Sequence, residues 1–486
     1  MWVWQHGKVS LFVPRGLGLS VSDRAIAGYL SITEADAALA SGELSAISLT
    51  EAVFDRVEQF DSVLNAYVRL MVDSATAEAV ASDVRARRGD RLGPLDGIPI
   101  AVKDIFDTAG VVTTYGAARF SEHRPVTDAH VVRKLREAGA VVIGKTNTHE
   151  LARGTTTDNA HYGATRNPWD LSRHPGGSSG GSAAALAAGM TLGALGSDTG
   201  GSVRIPAHMA GISGLKPTFG LVGRTGARPL VRAFDHVGPM ARSVADCAAI
   251  LEVIAGPDVN DPDCSSQPPD AYIRALSVDT AGLRVGIVIG LRDDAVAEIR
   301  EHFDSSAKVL GALGMAVDSW SLPPHLDLVR AQMVSRAQGY VSIHHMYDGD
   351  FSSITAPVIE RLDAGADVTA PDYLRGIEAR ERIERAISAG LADRDVLISP
   401  AYPYPAEPIQ PFDPRSNDVP HASLFNASRH PALSVPMGFV KGLPVGLQIV
   451  GRMGDDATVL AVGHAFQLAT KHHLHRPVDQ SLSSPA

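Results

Sequence analysis

Cysteine is nearly absent: Cys247 and Cys264 are the only two among 486 residues. Two thiols cannot form a disulfide framework, and with no CxxC pair or Cys/His cluster the sequence offers no zinc site. Cys247 lies in the apolar helical pattern Val244 to Ile250 and reads as a buried, inert thiol. Long apolar runs are missing as well. The longest, Ala183 to Leu195, is broken by Gly189 and Gly193 and falls short of the roughly 20 residues a membrane-spanning helix needs. Val9 to Val13, after Lys8, is too short for the core of a signal peptide, and no small-residue cleavage site follows. A cytoplasmic chain without membrane contact is expected. Excess positive charge is also lacking. The 44 Lys+Arg face 54 Asp+Glu, a formal net charge of −10, which argues against a general nucleic-acid or anionic-membrane surface.

What is present is ordinary globular composition, 45% apolar and 20% charged. The length admits about three domains or one large α/β domain. No internal repeat or linker divides it. Residues 1–22 carry no clear period and read as an extension, and residues 479–486 as a flexible tail. Ser48-Leu49-Thr50-Glu51 reads as a capping box opening a helix at Ala52. Further on, strands and helices alternate. Ile98 to Val102, Ala140 to Ile143, Leu283 to Ile289, Asp395 to Ile398, Leu433 to Pro436 and Val445 to Val450 are strands. Ala129 to Ala138, Ala295 to Leu313 and Ala457 to Leu468 are helices. This spacing implies a layered α/β sheet with helices on its faces.

Two motifs are decoys. Gly139 to Thr146 matches G-x4-G-K-[ST], but its interior Ala-Val-Val-Ile favours a strand, and a helix precedes it. A phosphate-binding loop needs a strand before the first glycine and pliable backbone after it. Gly177-Ser178-Ser179-Gly180-Gly181 contains G-x-S-x-G, yet a loop precedes it where a nucleophile elbow needs a hydrophobic strand. The run His472-His473-Leu474-His475 has no metal-ligand spacing and reads as a solvated tail.

Eleven glycines fall between Gly176 and Gly214. Glycine costs backbone entropy, so such density needs a reason. A flexible linker is polar throughout, whereas here an apolar helix (about Ser182 to Ala188) and a short strand (Leu192 to Ser197) join two Gly/Ser clusters. Closely approaching backbones with amides aimed at an anion fit better.

From about Ser31 to Pro477 the chain resembles the amidase signature hydrolases. The resemblance rests on Pro94 to Asp104 and on residues 175–218, with support from Asn167-Pro168-Trp169-Asp170, Asp235 to Met240 and Gly442 to Gln448. It implies one large catalytic domain over residues 23–478, a mixed β-sheet core covered by helices on both faces. It also implies a Ser-Ser-Lys triad: Ser202 as nucleophile, Ser178 as bridging serine after a cis Gly177–Ser178 peptide, and Lys103 as base. Backbone amides of Thr199, Gly200, Gly201 and Ser202 would form the oxyanion hole. A serine hydroxyl needs a base to become a nucleophile, and a lysine starting near pKa 10.4 serves if burial lowers it by several units. Lys103 follows a buried strand, which suits that demand. No metal or cofactor is required.

Asp198 and Arg204 flank the nucleophile as a structural ion pair, and Ser179 and Ser182 read as hydrogen-bonding or capping residues. Arg153, Gly154, Ser179 and Tyr162 are pocket candidates. Arg153, Arg232 and Arg429 stand where relatives are often apolar or small. They point either to a polar or anionic substrate or to pairing with acids such as Asp158 or Asp235, and the pairing is the expectation. The family's substrates span amides, carbamates, ureas and glutamine. A small-molecule amide, ester or carbamate hydrolase working alone is favoured, because residues 330–395 lack a tyrosine-rich segment: Tyr340, Tyr347 and Tyr373 are scattered. The alternatives are the glutamine-hydrolysing subunit of a tRNA-dependent amidotransferase complex and a carbamate- or urea-type hydrolase of the same family. A catalytically silent binding protein is disfavoured by the intact triad. The oligomeric state stays open, a homodimer included.

Overall fold

The structure, a computed structural model, describes residues 2–5, 8–11, 27–409 and 420–477. Of the expected N-terminal extension it describes only an antiparallel pair, Trp2–Gln5 with Lys8–Leu11. The tail at 479–486 lies outside the described residues.

Eleven strands form one mixed sheet: β1 (Tyr67–Leu70), β2 (Pro99–Lys103), β3 (Val141–Thr146), β4 (Gly193–Asp198), β5 (Ser213–Lys216), β6 (His236–Ala241), β7 (Arg284–Val288), β8 (Ala316–Trp320), β9 (Val396–Pro400), β10 (Ala432–Val440) and β11 (Leu443–Gly451). Their spatial order is β8-β7-β9-β11-β10-β5-β6-β4-β2-β3-β1. β2 runs parallel to both β3 and β4, whereas β4, β6, β5, β10, β11 and β9 are successively antiparallel. In β2, β3, β4 and β6 every residue is buried. Side chains alternate across a strand, so uninterrupted burial requires cover on both faces. Helices provide it, as expected of an α/β layered fold.

The strands read from sequence are all present, displaced by one to four residues at their ends. The first long helix is not where the sequence put it. α1 (Ala46–Leu64) begins six residues before Ala52, capped by Ser45, whose hydroxyl accepts the Ser48 amide at 3.0 Å while the Ser48 hydroxyl accepts the Ser45 amide at 3.2 Å. The Asp83 carboxylate accepts the amides of Ala46 (2.7 Å) and Ile47 (3.3 Å). Two acceptors for the orphan amides of a first turn outweigh the later Ser-x-x-Glu pattern. The histidine run is a short 3-10 turn, His472–Leu474, followed by His475 packed on Phe439 with ring centroids 5.0 Å apart, so it is not merely a solvated tail. Cys247 is buried as expected, and burial raises its thiol pKa.

Two stretches matter for the site. The short helices α2 (Gly180–Ala187) and α3 (Arg204–Ala210) bracket β4 and carry the two Gly/Ser clusters. A helical layer of α4 (Leu328–Tyr347), α5 (Ala356–Ala366) and α6 (Ala370–Gly390) lies between β8 and β9 in sequence.

Ser45→Ala is expected to cost about 1 kcal/mol, the usual loss for an N-cap serine, read as a lower urea midpoint.

Candidate active site

β2 ends at Lys103, whose side chain is fully buried. Its Nζ lies 2.8 Å from Ser178 Oγ, 3.0 Å from Ser179 Oγ and 2.9 Å from Ser197 Oγ. Burial lowers the amine from 10.5 to about 7; Asp198 and Asp235 oppose the shift and Arg228 adds to it. Ser178 precedes α2, after a Gly177–Ser178 peptide that is cis. Ser202 opens the turn into α3, 9% exposed, and its carbonyl accepts the Ser179 amide at 3.3 Å. That bond ties the two Gly/Ser clusters together. Among the described residues no hydrogen bond joins Ser178 Oγ to Ser202 Oγ, a common state of catalytic contacts without substrate.

Asp198, at the end of β4, shapes the loop. Its carboxylate accepts the amides of Gly201 (2.8 Å) and Val203 (3.1 Å), Arg204 Nε (3.0 Å) and Nη2 (2.9 Å), and Asn426 Nδ2 (2.8 Å). Burial acts to raise its pKa, but the Arg204 guanidinium and Asn426 outweigh burial and hold the carboxyl well below the usual range. Arg204 also donates to Gln448 Oε1 and Asn426 Oδ1, each at 2.7 Å. Asp198 and Arg204 are thus an ion pair, 2.9 Å apart, and Asp198 also takes up the Gly201 amide. Of the four amides expected at an oxyanion hole, Gly201 is committed to Asp198. Thr199, Gly200 and Ser202 remain. Gly201 itself has φ +114°, and a Cβ there would sit 2.4 Å from that of Ala422, so no other residue fits the turn.

Beside this loop is a cavity of about 190 Å³, lined among others by Ile105, Ala152, Thr199, Arg228, Leu230 and His236. An amine lowered to about 7, hydrogen-bonded to serine hydroxyls, beside a turn whose Thr199, Gly200 and Ser202 amides are not taken by Asp198 and next to a small cavity lined by Ser197 and Thr199, has the groups that acyl transfer needs. The amidase family pattern matches residues 48–460.

The chain belongs to the amidase family.

It is 39% identical over 479 residues, 92% of this chain and 98% of the other, to a protein of Chloroflexus aggregans named as one of the subunits of glutamyl-tRNA(Gln) amidotransferase. It is similar to the solved structure of the native peptide amidase of Stenotrophomonas maltophilia (32% identity, TM-score 0.84, covering 92% and 98% of the two chains). It is also similar to a structure described as a vestigial protein complex that reveals the origins of an s-triazine catabolic enzyme (34% identity, TM-score 0.85, covering 91% and 99%).

Around this amidase site the pocket candidates separate. Ser179 lies at the lysine, its hydroxyl directed to the Ser197 carbonyl at 3.3 Å. Gly154 faces the His149 ring instead of the cavity. Tyr162 sits towards Thr114 and Asp104 and does not line the cavity. Of the three arginines Arg232 pairs with a nearby acid as expected, although with Asp263 and not Asp158 or Asp235; Arg153 and Arg429 do not. Arg232 bonds Asp263 at 2.9 Å, Arg429 stacks 4.3 Å over the Phe219 ring, and Arg153 donates to the Arg361 carbonyl at 3.1 Å. Asp235 is occupied by Thr199 Oγ1 (2.6 Å) and the amides of Leu230 (2.8 Å) and Val231 (2.9 Å).

Sequence reasoning missed Ser197, Asn426, Gln448 and Arg228. Ser197 and Gln448 had a signal, since Ser197 shares β4 with Asp198 and Gln448 ends the matched run from Gly442; Asn426 and Arg228 stand outside every motif. The decoys resolve as read. Lys145 is a buried strand residue 3.5 Å from Asp104, not a phosphate ligand. Among the described residues no helix is long and apolar enough to cross a membrane, and no group of His, Cys, Asp and Glu could hold a metal ion.

Arg204→Met leaves Asp198 buried with its chief partner gone. A loss of about 3–5 kcal/mol is expected, the usual cost of breaking a buried pair on one side. Urea unfolding checks it.

Proposed function

We propose that this amidase hydrolyses the C–N bond of a small amide through an acyl-enzyme on Ser202, with Ser178 as proton relay and Lys103 as base. The observation that carries the reading is the buried Lys103 amine, lowered to about 7, 2.8 Å from Ser178 Oγ. A neutral amine has two N–H donors and one lone pair, so one of its three hydroxyl neighbours must donate to it. Ser179 sends its hydrogen to the Ser197 carbonyl, which makes Ser178 suited to face the lone pair. Lys103 then takes the Ser178 proton as Ser178 takes that of Ser202, and Ser202 Oγ attacks the carbonyl. The amides of Thr199, Gly200 and Ser202 receive the oxyanion, each worth about 3 kcal/mol. The proton returns through Ser178 to the leaving amine, and water hydrolyses the acyl-enzyme. Esters and carbamates suit the same steps.

A second reading shares this chemistry but takes glutamine as the amide donor, within an amidotransferase complex. The name of the 39%-identical relative favours it. In that setting tRNA enters through the assembly, and the net charge of −10 bears only on binding by this chain's own surface.

A fluorophosphonate is expected to label Ser202 in the wild type and nothing in Ser202→Ala; an adduct on Ser179, or none, would overturn the assignment. Because only neutral Lys103 is a base, kcat/KM should rise as pH passes through about 7, and Lys103→Met should lose at least 10³-fold, as removal of a triad member does. Glutamine turnover only with co-purified partner proteins selects the second reading. Turnover of small amides by the isolated chain selects the first.

A further inference from the structure

We infer that the cavity lined by Ser197, Thr199 and Arg228 contains an anion subsite, built by Arg228 and reinforced by the charge of Arg153 behind the cavity wall, that takes a carboxylate carried by the substrate itself. The inference rests on the amidase reading and names its substrate class: small amides bearing a carboxylate.

Arg228 is 6% exposed and lines the cavity together with Ser197 and Thr199. Its Nη1 donates to the Leu151 carbonyl at 2.8 Å. Its Nε and Nη2 are buried with no hydrogen-bond partner. These two nitrogens form one edge of the guanidinium, the pair of parallel N–H donors that matches the two oxygens of a carboxylate. Leaving a charged donor pair buried and unmet is costly, so the unmet edge is chemically specific. Arg153 Nε is a third buried donor without a partner.

The surrounding charges leave the excess positive. No acid among the described residues lies within 4.0 Å of either guanidinium. Asp235 is saturated by three donors, and Glu150 is held by His161 at 2.9 Å and by Thr355. Arg224 and Arg232, also on the cavity wall, are by contrast paired with Asp261 and Asp263. Burial lowers the pKa of Arg228 and of Arg153 to about 10, and both remain cationic at neutral pH.

The test uses succinamate and glutaramate against butanamide and pentanamide, in which methyl replaces the carboxylate. Calorimetry on Ser202→Ala reads binding without chemistry, and kcat/KM on the active enzyme reads turnover. Carboxylated amides should bind at least tenfold more tightly at pH 8. Arg228→Met should abolish the preference, Arg153→Met reduce it, and Arg228→Lys restore part of it. Fluorophosphonate labelling of each variant with Ser202 intact confirms a folded site. Because loss of Arg228 also raises the Lys103 pKa, the readout is the ratio between paired substrates, from which that shift cancels. Succinate should compete with the carboxylated amides and inorganic phosphate should not; equal competition by phosphate would mean a site for free inorganic anions and would overturn the assignment. Equal or absent binding of the paired amides would overturn it too. Preferential binding without turnover would keep the subsite and refute the amide-hydrolase reading.

Discussion

A single buried carboxylate organises the candidate site. Asp198 takes five hydrogen bonds: two from the backbone of its own turn, two from Arg204 and one from Asn426. Arg204 continues the network to Gln448 on β11. Taking a carboxylate and a guanidinium out of water is expensive, and the geometry must be nearly complete to offset it. Here it is complete on both sides. The turn that presents Ser202 is consequently rigid, and it is held by residues that never face the cavity.

The amine of Lys103 depends on that rigidity. Three serine hydroxyls surround it, and burial brings its pKa down to about 7, so that it loses its proton where a free lysine stays charged. The same burial weighs on the fold. Between about 7 and 10.5 the unfolded chain binds a proton at this residue and the folded one does not, so the penalty is greatest below that window and is relieved as pH rises through it. Lys216, also lowered to about 7 by burial, adds a second contribution of the same sign. A site that needs a neutral lysine therefore carries a stability cost at the pH where it first becomes active.

Much of this was legible in the sequence, for identifiable reasons. Buried strands such as Ile98 to Val102 are continuous apolar runs, and the glycines from Gly176 to Gly214 have no other economical explanation. Asp198 and Arg204 lie inside that dense local signal, whereas Lys103, Ser178 and Ser202 are singled out by the family resemblance carried by Pro94 to Asp104 and residues 175–218. The distant partners of Arg204 were harder to see: Asn426 lies 222 residues away with nothing local to mark it, and Gln448, 244 residues away, ends a matched motif that carried no hint of its role. Arg228 is visible only once burial and unmet donors are known. The helix start at Ala46 was missed because Asp83, a distant residue, supplies the deciding acceptor. Arg232 found an acid as expected, but Asp263 took the place of Asp235, which was already committed to Thr199 and to its own loop.

The strand order has a consequence for synthesis on the ribosome. The hairpin β10–β11 is the last pair of strands made, yet it stands in the middle of the sheet, between β5 and β9. Until residues 432–451 emerge, the strands made earlier remain two separate half-sheets, each with an open edge, and Arg204 lacks its partner Gln448. Open strand edges invite pairing with other chains. A truncation before residue 432 thus removes the seam of the sheet and not its margin, and a growing chain of this protein must be kept from its neighbours until almost its whole length has been translated.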